Sequence, residues 1–141
     1  MGMKLYIYYV GKPRDAHANA MAEEYVKRLG RYARLEMSEV KPARSEWWVK
    51  HTSAWKVLLD PAGKSMDSNR FAGMLSKAEL EARDLVFVIG GAGGLPAGWR
   101  GHADGTLSLS AMTFPHELAR VVLAEQIYRA FAILRGHPYP R

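Results

Sequence analysis

Cysteine is absent from the 141 residues. Disulfides, thiolate nucleophiles and cysteine-ligated metals are thereby excluded, and the composition fits a reducing cytoplasm. Long apolar runs are missing as well: a stretch such as Leu85 to Ile89 is far too short to span a bilayer. No charged, apolar and small-residue leader opens the chain, so no signal peptide is expected. Tyr6 stands where an acylation start would need serine or threonine. Acidic residues are outnumbered, 14 against 20 lysines and arginines, giving a net charge of +6. Such a surface suits a polyanionic partner, of which nucleic acid is the commonest, or belongs to a merely soluble basic protein. Internal repeats and low-complexity linkers are also lacking. One domain over residues 1–141 is expected, and 48% hydrophobic residues are enough to give it a core.

What is present alternates between strand and helix. Met3 to Val10 is aromatic and β-branched and reads as a strand buried on both faces. Gly11-Lys12-Pro13 ends it, and Asp15 can cap a helix to about Tyr32 with Met21, Tyr25, Leu29 and Tyr32 as its buried stripe. Lys27, Arg28, Arg31 and Arg34 near its end suit the helix dipole, or an RNA-facing patch. Arg34 to Val40 alternates polar and apolar, as an edge strand does. Residues 41–55 hold Trp47, Trp48 and Trp55, which could stack on bases but more often cover a core or interface; a short helix from Ser45 is expected. Lys56 to Asp60 is a buried strand, Pro61 to Lys64 a turn, and Asp67 or Ser68 caps a helix to about Arg83 with Phe71, Met74, Leu75 and Ala78 inward. Asp84 to Ile89 is the clearest central strand. The order predicts right-handed βαβ crossovers and a mostly parallel sheet flanked by helices.

Gly90 to Pro96, GGAGGLP, follows that strand directly, at the carboxyl end where open α/β sheets bind ligands. It lacks the Gly-Lys-Ser/Thr of a P-loop, and Pro96 stands where a dinucleotide fingerprint needs a third small residue. The loop is therefore either a ligand cradle of another kind or a plain turn. Thr106 to Ser110 reads as a further strand and residues 111–115 as a loop near the glycines. Thr113 is the expected cap of a helix reaching about Leu134, apolar almost all round and so buried on several sides, in the core and in an oligomer interface. Within it Glu125 and Arg129 stand four apart, forming an ion pair, or leaving Arg129 to hold phosphate or a base. The tail His137-Pro138-Tyr139-Pro140-Arg141 cannot be helical; it is loose, or it supplies a proton acceptor and anion contacts.

VFVIGGAGGL, LSLSAMTFPHELARVVLAEQIYRAFAILRGHPY and the N-terminal MKLYIYYVGK resemble the ribosomal RNA large subunit methyltransferase H family. These are SPOUT-class enzymes that methylate N3 of a pseudouridine in 23S rRNA. The resemblance implies an α/β fold with a C-terminal trefoil knot, a cytoplasmic homodimer with active sites at its interface, S-adenosylmethionine as cofactor, and no metal or membrane. It implies cofactor contacts at Leu59, Gly90, Gly91, Leu109, Ser110, Ala111, Met112, Thr113 and Phe114. His137, Tyr139 and Arg129 become the catalytic candidates; His116, Arg129 and Arg141 become substrate contacts. Pro140 departs from the family, which usually carries a second histidine there, and residues 41–55 replace a longer charged helix. Two other readings remain: a non-catalytic RNA- or ribosome-binding protein of this fold, and a methyltransferase acting on another RNA.

Overall fold

The computed structural model describes residues 2–139. In chain order they form β1 (Lys4–Val10), α1 (Ala16–Leu29), β2 (Arg34–Val40), β3 (Trp55–Ser65), α2 (Ser68–Leu80), β4 (Leu85–Ile89), β5 (Gly105–Ser108) and α3 (His116–Leu134). The sheet runs β2-β1-β4-β3-β5, every pairing parallel. The expected α/β architecture is present. β2 is an edge strand, as its alternation predicts, and the all-apolar β4 lies at the centre with every residue buried.

The three helices pack on one face, α3 in contact with both α1 and α2. Their apolar stripes meet Leu5, Ile7, Val57, Leu85, Phe87 and Ile89. Alternate residues of the same strands, Tyr8, Leu58, Val86 and Val88, turn to the other face. Among the described residues no α-helix covers that face; Trp47, Ala54 and Trp99 do, and Trp47 packs edge-on against Trp48 and Trp99. Trp47 and Trp48 thus belong to a lid over the sheet, while Trp55, the first residue of β3, packs on the helix face. The helix expected from Ser45 does not form, and a 3₁₀ turn at Val49–His51 stands there instead.

Asp15 caps α1 by accepting from the backbone N–H groups of His17 and Ala18, and Asp67 caps α2 through Arg70. Met21, expected in the buried stripe of α1, is exposed, and Ala22 takes the core position beside it. Pro115, not Thr113, occupies the cap position of α3, without a side-chain capping bond. Pro61 to Lys64 is not a simple turn. β3 resumes beyond it, so that Leu59 and Lys64 both pair with Leu107 and residues between them bulge from the sheet. The physical reason is the parallel partner β5, which offers backbone groups on both sides of the bulge.

Candidate active site

The carboxyl ends of β3, β4 and β5 open onto one cavity of about 590 Å³, within the range of small-molecule sites. Three loops build its wall: the β3 bulge with Leu59, Asp60 and Pro61, the glycine loop, and the stretch from Leu109 to His116. The glycine loop closes on itself, the Gly94 N–H donating to the Gly91 carbonyl at 2.9 Å. A Cβ on Gly90 would come within 2.6 Å of the Gly94 carbonyl carbon and oxygen, so the turn requires glycine there. Backbone therefore faces the cavity where side chains would otherwise fill it.

The resemblance implies cofactor contacts at Leu59, Gly90, Gly91, Leu109, Ser110, Met112, Thr113 and Phe114, and all of them line this cavity. Ala111 does not; it is exposed beside the wall. His116, expected at the substrate, sits on the rim. Two polar residues, Asp60 and Arg100, line the cavity without having been singled out from the sequence. Their side chains pair at 2.5 Å, Oδ2 to guanidinium. The Ala62 N–H and the Arg100 side chain hold the Asp60 carboxyl below its usual range. Only the position of Asp60 at the end of β3 signals it; Arg100 comes from a 3₁₀ turn, Trp99–His102, that the sequence does not announce.

The remaining candidates lie elsewhere. Several turns of helix separate His116 from Arg129, about 20 Å of rise. The His137 ring packs edge-on against Tyr32, which precedes β2, and β2 pairs its first residue with the first of β1. The tail therefore sits at the amino ends of the strands, and within one protomer it does not border the cavity. Nor is it loose. Gly136 turns left-handed at φ +70°, and the N–H groups of Gly136 and His137 close the helix end on Ile133 and Ala132. Tyr139 then folds back on Tyr128, with ring centroids 4.8 Å apart, and donates its hydroxyl to Glu125 at 2.6 Å. Arg129 pairs with the same carboxylate at 2.7 Å. Burial and the bond to Glu125 push the Tyr139 phenol above its ordinary range, while Glu125 also raises the Arg129 guanidinium. Arg141 and Pro140 lie outside the described residues.

Arg120 is a further residue that sequence reasoning passes over. It is 1% exposed, lies over the Tyr9 ring at 4.2 Å and donates to Asn19 at 2.9 Å, tying α3 to β1 and α1. Read as one polar position in an apolar helix, it carries no signal of its burial.

A family model described as a predicted SPOUT methyltransferase matches residues 3–140. A ribosomal RNA large subunit methyltransferase H from Solibacter usitatus is 62% identical over 99% of this chain and 100% of its own length. The chain belongs to the ribosomal RNA large subunit methyltransferase H family, within the SPOUT methyltransferases. The family's Chromobacterium violaceum member is 40% identical, with 99% of each chain covered. Among solved structures, the SpoU methyltransferase AviRb from Streptomyces viridochromogenes, in complex with AdoMet, aligns at a TM-score of 0.55 and 16% identity. That alignment covers 92% of this chain and 58% of AviRb. A Legionella pneumophila protein assigned as a methyltransferase, with SAM bound, aligns at 0.56 and 14% identity, covering 91% and 66%. At these identities the likeness is one of fold, and the fold is the one the family shares.

Proposed function

We propose that this protein methylates N3 of a pseudouridine in 23S rRNA of the assembled ribosome, as a cytoplasmic homodimer of one-domain subunits. Membership of the family makes it an S-adenosylmethionine-dependent rRNA methyltransferase. The nucleotide, the ribosomal context and the dimer are inferred from the resemblance and from the site. The observation that carries the reading is the cavity, with three strand-end loops, apolar walls and glycine backbone at its centre. Those features fit the cofactor: Leu59, Ile89, Leu107, Leu109 and Phe114 offer faces for an adenine ring, and the loops offer backbone groups for its edges. The Asp60 carboxylate suits a hydroxyl or ammonium donor. Among the described residues no cluster of His, Asp and Glu could hold a metal, and no helix is long and apolar enough to cross a membrane.

When bound, S-adenosylmethionine supplies an electrophilic methyl group on a positive sulfur. The chain's own residues then have three tasks. They hold acceptor and donor in line, which supplies much of the rate. They keep water out with apolar walls. They also accept the proton that N3 loses as the new N–C bond forms and the S–C pair returns to sulfur. His116 on the rim and His137 on the tail are the candidate acceptors. Tyr139 is the weaker one, since its hydroxyl is committed to Glu125. Arg129 and Arg141 are assigned to phosphate or to the developing anion.

Because cavity and tail lie at opposite ends of one subunit, His137, Tyr139 and Arg129 reach a target nucleotide only from the partner subunit. This supports a homodimer with composite sites. Met21, Leu118 and Met112, exposed on α1, on α3 and on the cavity loop, supply apolar surface for it. The trefoil knot that the resemblance implies, a threaded C-terminal segment, belongs to the same reading.

The test uses ribosomes lacking the mark, labelled S-adenosylmethionine and mass spectrometry of the large-subunit rRNA. One methyl on a pseudouridine is expected, at a higher rate on ribosomes than on free rRNA. Cofactor binding without methyl incorporation into any RNA would favour the non-catalytic alternative; incorporation into another RNA would favour the third.

A further inference from the structure

The loop joining β1 to α1 carries two cations that the site described so far does not use. Lys12 and Arg14 are exposed, and among the described residues neither side chain takes part in an ion pair. The loop borders the cavity mouth. Val10, just before it, lies against Gly91 of the glycine loop, and a Cβ on Gly11 would be 3.8 Å from the His116 Nε2. The loop is also fastened. Glu117, in the first turn of α3, accepts at one carboxylate oxygen from the backbone N–H groups of Arg14 at 2.9 Å and Asp15 at 3.0 Å. Asp15 in turn caps α1 through His17 and Ala18. One oxygen of each carboxylate is thus engaged by two backbone donors, neither carboxylate pairs with Lys12 or Arg14, and the two cationic side chains are exposed.

That division is informative. An acidic residue beside a basic one ordinarily neutralises it; here the acids position the backbone that carries the cations. We propose that Lys12 and Arg14 form a phosphate grip at the cavity mouth, engaging the RNA backbone beside the target nucleotide, with Glu117 as the positioning residue that fixes the loop. The inference rests on the methyltransferase reading and names how that site holds its substrate. The occupant is a polyanionic strand rather than the cofactor, because these groups stand outside the cavity wall. Phosphate contacts of this kind fix register and orientation without reading sequence.

The experiment measures methylation of unmarked ribosomes at several salt concentrations, with calorimetry of S-adenosylmethionine alongside. For the Lys12→Ala, Arg14→Ala double variant, KM rises and the plot of log affinity against log salt becomes shallower by about 1.4, roughly 0.7 per lost contact. kcat and cofactor affinity stay as in the wild type. The Lys12→Arg, Arg14→Lys exchange keeps the slope. Glu117→Ala raises KM and flattens the slope, and Glu117→Gln, which still offers an acceptor oxygen, restores both. An unchanged KM and slope in the double variant of an active enzyme would overturn the grip alone. A wild type that binds cofactor and methylates no RNA would overturn the underlying reading as well.

Discussion

Tyr8 and His51 join the sheet to the tryptophan-rich lid through a buried bond of 2.8 Å between the phenol oxygen and Nε2. Burial, then the Tyr6 and Glu36 charges, pushes the Tyr8 phenol up to about 12, while burial, then Lys50, lowers the His51 imidazole from 6.5. Both shifts favour the neutral forms, so their effects on stability lie at opposite ends of the pH scale. For His51 the folded value is depressed, and its contribution is present above 6.5 and lost as pH falls through the folded value. For Tyr8 the folded value is raised, and its contribution is present below 10.0 and lost as pH rises toward about 12. Urea midpoints measured across pH are expected to fall at both limits. Tyr8→Phe should cost about 1–3 kcal/mol by leaving a buried ring nitrogen unpaired, and should flatten the alkaline limb. A second residue-scale test concerns Tyr139. Tyr139→Phe removes a hydrogen bond to a charged acceptor while sparing the Glu125–Arg129 pair. A loss of about 1.5–3 kcal/mol at most is expected by denaturation, together with lower methylation if the tail reaches the partner's site.

At the scale of elements, the glycine loop separates two kinds of glycine. Gly90→Ala puts a Cβ against the backbone of Gly94, which must move. Gly93 has open space around it and no left-handed φ. Calorimetry is expected to show cofactor affinity at least about tenfold lower for Gly90→Ala, the loss of roughly one good contact, and near wild-type affinity for Gly93→Ala. Equal behaviour of the two would contradict a cavity shaped by the turn at Gly90. The helices were legible from capping residues and periodicity, because those act within a few residues. Helical spacing places Met21 with Tyr25 and Leu29, but a helix packed on one side has room for only part of an apolar stripe, and Met21 is left exposed. The β3 bulge was illegible for a different reason. Proline and glycine read locally as an ending, while the strand resumes only because β5 is waiting beside it.

For the whole molecule, the separation of cavity and tail makes a prediction about assembly. A subunit with a damaged cavity (Gly90→Ala) and one with a damaged tail (Tyr139→Ala) should each be strongly impaired alone when cofactor is held below saturation. After co-refolding, random pairing gives half heterodimers, each with one intact composite site, so about one quarter of wild-type activity should return. Additive residual rates only, in a mixture shown by native mass spectrometry to contain heterodimers, would rule out composite sites.

The sequence by itself determined the alternation of strands and helices, the buried centre at β4, the glycine turn beyond it and the residues around the cavity. The first three follow from short-range patterning and from position at a strand end; the residues around the cavity follow from the family resemblance. Only the tertiary structure decided that Trp47, Trp48 and Trp99 cover the sheet face opposite the three α-helices, that Asp60 meets Arg100, that Arg120 is buried, and that Tyr139 folds onto Glu125 away from the cavity. Those outcomes depend on residues distant in the chain meeting, and on packing that leaves one favourable partner for each group. The tail that reads as part of the site in one dimension is carried in three to the opposite end of the sheet, because α3 runs the full height of the strands before the chain turns back.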